Sequence, residues 1–240
     1  MDPSATIEDN WHNWHHRWTT SFEEFVSHEM QSADSGHDLA HVRRVVNSAD
    51  HIGIAENANP EIALAAAWLH DCVVVAKNSP LRSQASRMAA LRAREFLLQV
   101  NYEVGLIPAI QHAIVAHSFS ANIMPETLEA KVVQDADRLE ALGALGLARC
   151  LATGGAMGVQ LLDPQEPFPI ERPANDAKYS VDHLFVKLLK LPQQMQTATG
   201  GQLASQYAEF LIHFLQQLAK ELFIAPESLH RAIAMSQEIR

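Results

Sequence analysis

Only two of the 240 residues are cysteines, Cys72 and Cys150, and both sit in apolar segments. That scarcity excludes a disulfide framework and fits free thiols in a reducing compartment. Basic residues are the minority: 18 Lys and Arg face 28 Asp and Glu, for a formal charge of −10. A general nucleic-acid binder needs a basic face to meet phosphates, so a nucleic acid polymer is excluded as a partner, whereas a local basic pocket for one small anion is not. No long hydrophobic run is present. The most apolar stretch, Ile62 to Ala76, is interrupted by His70-Asp71 and falls short of the ~20 residues that span a bilayer. The polar, Trp- and His-rich start of the chain, Met1 to Thr20, lacks the apolar core of a signal peptide. The expectation is a cytoplasmic protein with no membrane partner. Glycine is sparse and β-branched residues rarely alternate with polar ones, which leaves little material for sheet.

What the chain does contain, segment after segment, is apolar residues at helical spacing, so the expected fold class is all-α. A first helix is predicted over Phe22 to Met30, and a second, after the Ser35-Gly36 break, from Asp38 to about Ile54. A third starts after Asn59-Pro60 and runs to about Ala76, since proline suits a first helical turn. Ser83 to Asn101, Pro108 to His117 and Pro125 to about Ala152 follow. Helices over Val181 to Leu191, Leu203 to Phe223 and Pro226 onwards close the chain. Glycines 154, 155 and 158 and prolines 164, 167, 169 and 173 mark a long loop over residues 154–180, either a cover for a site or a surface excursion. No linker stands out. Residues 1–20 read as a helical extension that docks Trp11, Trp14 and Trp18, and residues 21–240 as one domain with a core over 36–150 and C-terminal helices over 181–240.

Within Ile62 to Ala76 only His70 and Asp71 are polar. A helix apolar on all sides belongs in a core, and a carboxylate buried there demands a cation, either an arginine from a neighbouring helix or a metal ion. Two further helices point to the metal. At ~100° per residue, His41 lies at the edge of the stripe Val42, Val45, Val46, Ala49 and Ile52. Treated as one helix, Lys131 to Arg149 gathers Lys131, Arg138 and Arg149 on a polar face with Asp135 near it, and sets Asp137 among Val133, Ala141, Ala144 and Ala148. Two histidines and two carboxylates, His41, His70, Asp71 and Asp137, make a mixed nitrogen and oxygen set suited to Mn²⁺, Fe²⁺, Mg²⁺ or Zn²⁺.

The order His41, His70-Asp71, Asp137 resembles the H…HD…D signature of the HD-domain metal-dependent phosphohydrolase superfamily. GHDLAHVRRV (Gly36 to Val45), AWLHD (Ala67 to Asp71), KNSPLRSQASR (Lys77 to Arg87), IVAHSFSA (Ile114 to Ala121), KVVQDADRLEALGALGLAR (Lys131 to Arg149) and RPANDAKYSVDHLFVKLLKLP (Arg172 to Pro192) are similar to its YedJ/YpgQ-like bacterial branch. The resemblance spans roughly residues 20–220. It implies a single helical HD domain whose metal ligands are those same four residues. It implies a phosphohydrolase of a small phosphorylated metabolite, foremost a nucleotide, with cleavage of a nucleoside triphosphate to monophosphate and pyrophosphate as one route. The cofactor it implies is a divalent ion, Mn²⁺ or Mg²⁺ first, with Fe²⁺, Ni²⁺, Zn²⁺ or Co²⁺ as alternatives. Asp71 would both ligate and orient the attacking water.

Two departures matter. The acidic residue that follows the HD pair by three positions in several relatives is Val74 here, which leaves the general base open. His112 and His117 fall in the interval where some relatives carry ligands to a second metal, but five residues put them ~140° apart on a helix. For the substrate's phosphate oxygens the candidates are Lys77, which would also act in catalysis, Arg82, His117, and the i, i+4 pair His183 and Lys187. GGAMG (Gly154 to Gly158) is not a phosphate loop, since it lacks the GK[ST] ending. Two rivals stay open: an HD-type di-iron oxygenase, and a non-catalytic metal or nucleotide sensor. The expected assembly is a monomer or a homodimer.

Overall fold

The computed structural model describes residues 6–30, 38–75, 79 and 81–237. Ten α-helices follow in chain order: α1 (Ile7–Glu29), α2 (Leu39–Glu56), α3 (Pro60–Leu69), α4 (Ala85–Gln99), α5 (Ile107–His117), α6 (Leu128–Leu139), α7 (Gly143–Ala156), α8 (Asp182–Val186), α9 (Ala198–Glu221) and α10 (Pro226–Gln237). Among the described residues there is no strand, and one isolated bridge pairs Gln160 with Tyr179. No helix among them is long and apolar enough to cross a membrane. The chain divides into two compact units, Met1–Asp137 with Gln196–Gly200, and Arg138–Met195 with Gly201–Arg240.

In the first unit α3 is the centre. Asn59 caps it by accepting from the Glu61 amide at 3.0 Å, and Pro60 fills the first turn. Every residue of α3 except Glu61 is buried, and α1, α2, α4 and α5 pack around it. An apolar face on every side is thus matched by a neighbour on every side. α3 stops at Leu69, seven residues before the predicted end, because Val73 to Val75 form a β-branched run with low helix propensity. His70 becomes the cap, and Asp71 lies in the turn beyond it.

The predicted first helix and the Trp/His-rich extension are one continuous element. Thr6 and Asp9 form a capping box at the start of α1: the Thr6 amide donates to Asp9 Oδ2 at 3.0 Å and the Asp9 amide to Thr6 Oγ1 at 3.2 Å. Trp11 and Trp14 are buried as expected. The Trp14 indole N–H donates to the Tyr102 hydroxyl at 2.8 Å, and a Cβ at Gly53 of α2 would lie 2.0 Å from the Trp11 ring. That glycine lets α1 approach α2.

The predicted helix over Pro125 to Ala152 is two helices. Gly143 opens α7 with φ +64°, in the left-handed region that glycine adopts without cost, so the chain turns between Leu139 and Gly143. The turn also corrects the face assigned to Asp135. Predicted near a polar face, it is fully buried, and its carboxylate accepts from the Gln196 amide at 2.9 Å, the Thr197 amide at 2.8 Å and the Thr197 hydroxyl at 2.7 Å. A Cβ at Gly200 would sit 2.4 Å from Asp135 Oδ2. Asp135 thus anchors the segment leading into α9, where an anion suits the exposed amides of a helix start.

In the second unit the segment between α7 and α8 is tied from within. Arg172 donates to Asp182 through Nη1 at 2.5 Å and Nη2 at 2.8 Å and to the Glu166 carbonyl through Nε at 2.9 Å, with its guanidinium 4.9 Å from the centre of the Tyr179 ring. Asp182 is fully buried. The Glu166 carboxylate in turn accepts from the amides of Ile170 at 2.8 Å and Glu171 at 2.6 Å. The predicted helix over Val181 to Leu191 is shorter: α8 ends at Val186, Lys187 adopts φ −131°, and a 3₁₀ stretch over Leu188–Gln194 follows.

Candidate metal centre

Two buried imidazoles start the site. His41 enters on the first turn of α2, whose cap Asp38 accepts from the His41 amide at 2.8 Å. His70 leaves at the end of α3, and its Nδ1 donates to the Ala67 carbonyl at 2.8 Å. That donation assigns the tautomer and turns the bare Nε2 outward, the arrangement by which a second partner orients a metal-binding histidine. The two Nε2 atoms face each other at 3.4 Å. Carboxylates complete the group: Asp137 Oδ1 is 3.6 Å from His41 Nε2 and 3.9 Å from His70 Nε2, and Asp71 Oδ2 is 3.8 Å from His70 Nε2.

These separations test whether an ion fits. Two donors bound at ~2.1 Å to a common ion lie at most ~4.2 Å apart, and ~3.4 Å apart at a tetrahedral angle. All four distances fall within that limit, and ligand atoms of His41, His70 and Asp71 lie within 4.8 Å of one another. Facing ring nitrogens flanked by carboxylates are the chemistry a divalent cation satisfies. Burial pushes the His70 imidazole down to about 4, against the pull of Asp71. It therefore stays neutral near pH 7, the ligating form.

A third imidazole joins the group. His117, at the end of α5, donates from Nδ1 to the Ile114 carbonyl at 2.5 Å and brings Nε2 to 3.6 Å from Asp71 Oδ1. Its ring meets that of His70 edge-on at 4.9 Å. Burial lowers its affinity for protons, but the Asp71 carboxylate, as acceptor and as charge, together with Asp137 and the Ile114 carbonyl, outweighs burial and raises it above the ordinary imidazole value. His112 faces elsewhere: its Nε2 accepts from the Glu126 amide at 3.0 Å.

The substrate candidates fare differently. Arg82 donates through Nη1 to the Val75 carbonyl at 3.0 Å, which ties the segment after the HD pair back onto itself. Lys77 lies outside the described residues. His183 and Lys187 belong to the other compact unit. There His183 Nδ1 is 2.9 Å from Asp176 Oδ2, and Lys187 caps α8, its amide donating to the His183 carbonyl at 3.0 Å. Val74 is partly exposed at the position where relatives place an acid. One residue that sequence reasoning passed over is Gln134, buried on α6 three positions before Asp137, whose amide donates to the Ala116 carbonyl at 2.6 Å. Its signal was its place within QDADRL, on the Asp137 face of the helix.

Comparison with known proteins identifies the family. The HD domain family matches residues 38–142, the span that holds His41, His70, Asp71, His117 and Asp137. YpgQ of Bacillus subtilis strain 168 is 33% identical over 204 residues, 82% of this chain and 90% of its own length. The crystal structure of B. subtilis YpgQ in complex with ADP is similar with a TM-score of 0.65 and 31% identity, covering 84% of this chain and 93% of that one. An HD-superfamily hydrolase from Bacillus thuringiensis is similar with a TM-score of 0.67 and 31% identity, covering 92% of this chain and all of that one. With a relative at this identity over most of both chains, and with the HD domain match over residues 38–142, the chain belongs to the HD domain family.

Proposed function

We propose that the chain is a divalent-metal-dependent phosphohydrolase acting on a nucleotide. The observation that carries this reading is the pair of buried Nε2 atoms 3.4 Å apart with Asp71 and Asp137 beside them. His41, His70, Asp71 and Asp137 would hold the ion. When bound, the ion supplies Lewis acidity, which lowers the pKa of a coordinated water and polarises a phosphoryl oxygen. Asp71 has one oxygen toward His70 and the other toward His117, so the same carboxylate can ligate and orient the attacking water. His117 turns its Nε2 toward the same carboxylate, a position from which the ring would meet a substrate oxygen. Lys77 and Arg82, in the segment that follows the HD pair, are the groups assigned to the substrate phosphates. A nucleotide is favoured because the related YpgQ binds ADP. Cleavage of a triphosphate to monophosphate and pyrophosphate is one route.

A second reading has one observation in its favour. His117 lies against Asp71 as a ligand to a second ion would, and a two-iron oxygenase would need such a ligand. Product analysis separates the two. Metal-stripped protein, with and without Mn²⁺, is incubated with the common ribo- and deoxyribonucleotides, and the products are resolved by ion-pair chromatography with Asp137→Ala as control. Metal-dependent release of phosphate or pyrophosphate, lost in the variant, is expected. No turnover of any nucleotide while one metal stays bound would overturn the nucleotide hydrolase, and two irons per chain would favour the oxygenase.

A further inference from the structure

The end of α5 carries His117, and two of its last carbonyls are held by side chains. Ile114 accepts from the His117 ring itself at 2.5 Å, and Ala116, the residue before His117, accepts from Gln134 Nε2 at 2.6 Å. Helix ends leave four such carbonyls without intrahelical donors, so each side-chain donor fixes the local backbone. Gln134 is buried on α6, and Asp137 follows it at i+3, on the same helix face. One amide thus links the backbone that carries His117 to the helix that carries Asp137.

The amide is retained at a cost. Its other end, Oε1, is buried and has no hydrogen-bond partner among the described residues. A buried acceptor left unsatisfied costs about 1–3 kcal/mol, and a methionine of the same length would fill the space without that penalty. Packing alone therefore does not account for glutamine here. The donor end does, because Ala116 is the carbonyl that sets where the His117 ring starts.

We infer that Gln134 is a positioning residue which, through its hydrogen bond to Ala116, sets the His117 imidazole against Asp71. This rests on the proposed role of His117 at the substrate. The Gln134 amide reaches the backbone that carries His117, at the Ala116 carbonyl. His41 is placed by the start of α2 and His70 by the Ala67 carbonyl, so a change at Gln134 acts first on the position of His117 and only through it on Asp71.

The test compares Gln134→Met and Gln134→Glu with the parent. Gln134→Met removes both polar atoms, and Gln134→Glu keeps the size but loses the amide donor. The first readout needs neither metal nor turnover: the ¹⁵N and ¹H resonances of the His117 ring in the metal-free protein at fixed pH. Both variants should shift the His117 resonances and leave those of His41 unchanged. The second readout is on the Mn²⁺-loaded protein, where kcat should fall about 10- to 100-fold while the metal Kd and KM stay within about twofold. Unmoved His117 resonances in a folded variant would overturn the inference. So would a loss of metal affinity equal to the loss of kcat. A chain with no nucleotide turnover at all would sink the hydrolase reading, while the ring resonances would still decide the role of Gln134. If Gln134→Met does not fold, the closer Gln134→Glu carries the same two readouts.

Discussion

Acidic side chains gather in both compact units, Asp182 fully buried in the second and Asp71 and Asp137 half-buried in the first, and the two units resolve the electrostatic problem in opposite ways. In the second unit Asp182 is fully buried and meets a guanidinium through two hydrogen bonds, with the Tyr179 ring beneath it. The pair is complete within the chain and serves to order the segment between α7 and α8. In the first unit Asp71 and Asp137 gather around His41, His70 and His117, none of which is a permanent cation. An exchangeable ion would complete that set, which is what separates a binding centre from a structural one.

The largest effects should divide along this line. Asp137→Ala or His70→Ala is expected to lower nucleotide turnover by 10²-fold or more, with helical circular dichroism retained, as measured by product formation and thermal melts. Arg172→Met should do the reverse. It strands the buried Asp182 carboxylate and should cost about 3–5 kcal/mol of stability, while Arg172→Met with Asp182→Leu should recover much of the loss. Equal destabilisation by the double change would show that the pair is not the organiser of its segment.

A smaller effect sharpens the contrast. Saturating Mn²⁺ at 100 times its Kd should stabilise the protein by about 2.7 kcal/mol, reversed by a chelator. The increment should vanish in Asp137→Ala and persist in Arg172→Met, read by chemical denaturation; an increment insensitive to Asp137 would place the ion elsewhere.

The smallest is a protonation difference between neighbouring rings. In the metal-free protein, imidazole NMR should find His70 neutral down to about 4 and His117 still protonated above 6.5. For His70 the unfolded chain takes a proton near 6.5 and the folded chain does not, so its contribution to stability is full above 6.5 and is lost as pH falls towards 4. His117 has the opposite sign: its contribution grows as pH falls through its raised folded value and is complete below 6.5. A His70 ring that titrated near 6.5 would mean that the pair is not desolvated.

Much of the fold was legible in local signals. Asn59-Pro60 marks the start of α3 and Asp38 that of α2, because caps act within a few residues. The helix ends were less so. The Gly143 turn and the early stop at Leu69 lie where apolar periodicity continues but backbone conformation changes. The site shows the same division. His41, His70 and Asp71 can be picked out by order and by an apolar surrounding, yet the wheel set Asp135 near solvent. Its burial depends on donors from Gln196 and Thr197, some sixty residues away in sequence.

By itself, then, the sequence determined the helical class, the acidic surface, and the ordered set of imidazoles and carboxylates, since period, composition and capping are local properties of the chain. Tertiary structure decided that Asp135 is buried against Gln196 and Thr197, that His117 and not His112 joins the imidazoles, and that Gln134 bridges α5 and α6. Those outcomes depend on which helix packs against which, and a burial or a hydrogen bond between distant segments exists only once they meet.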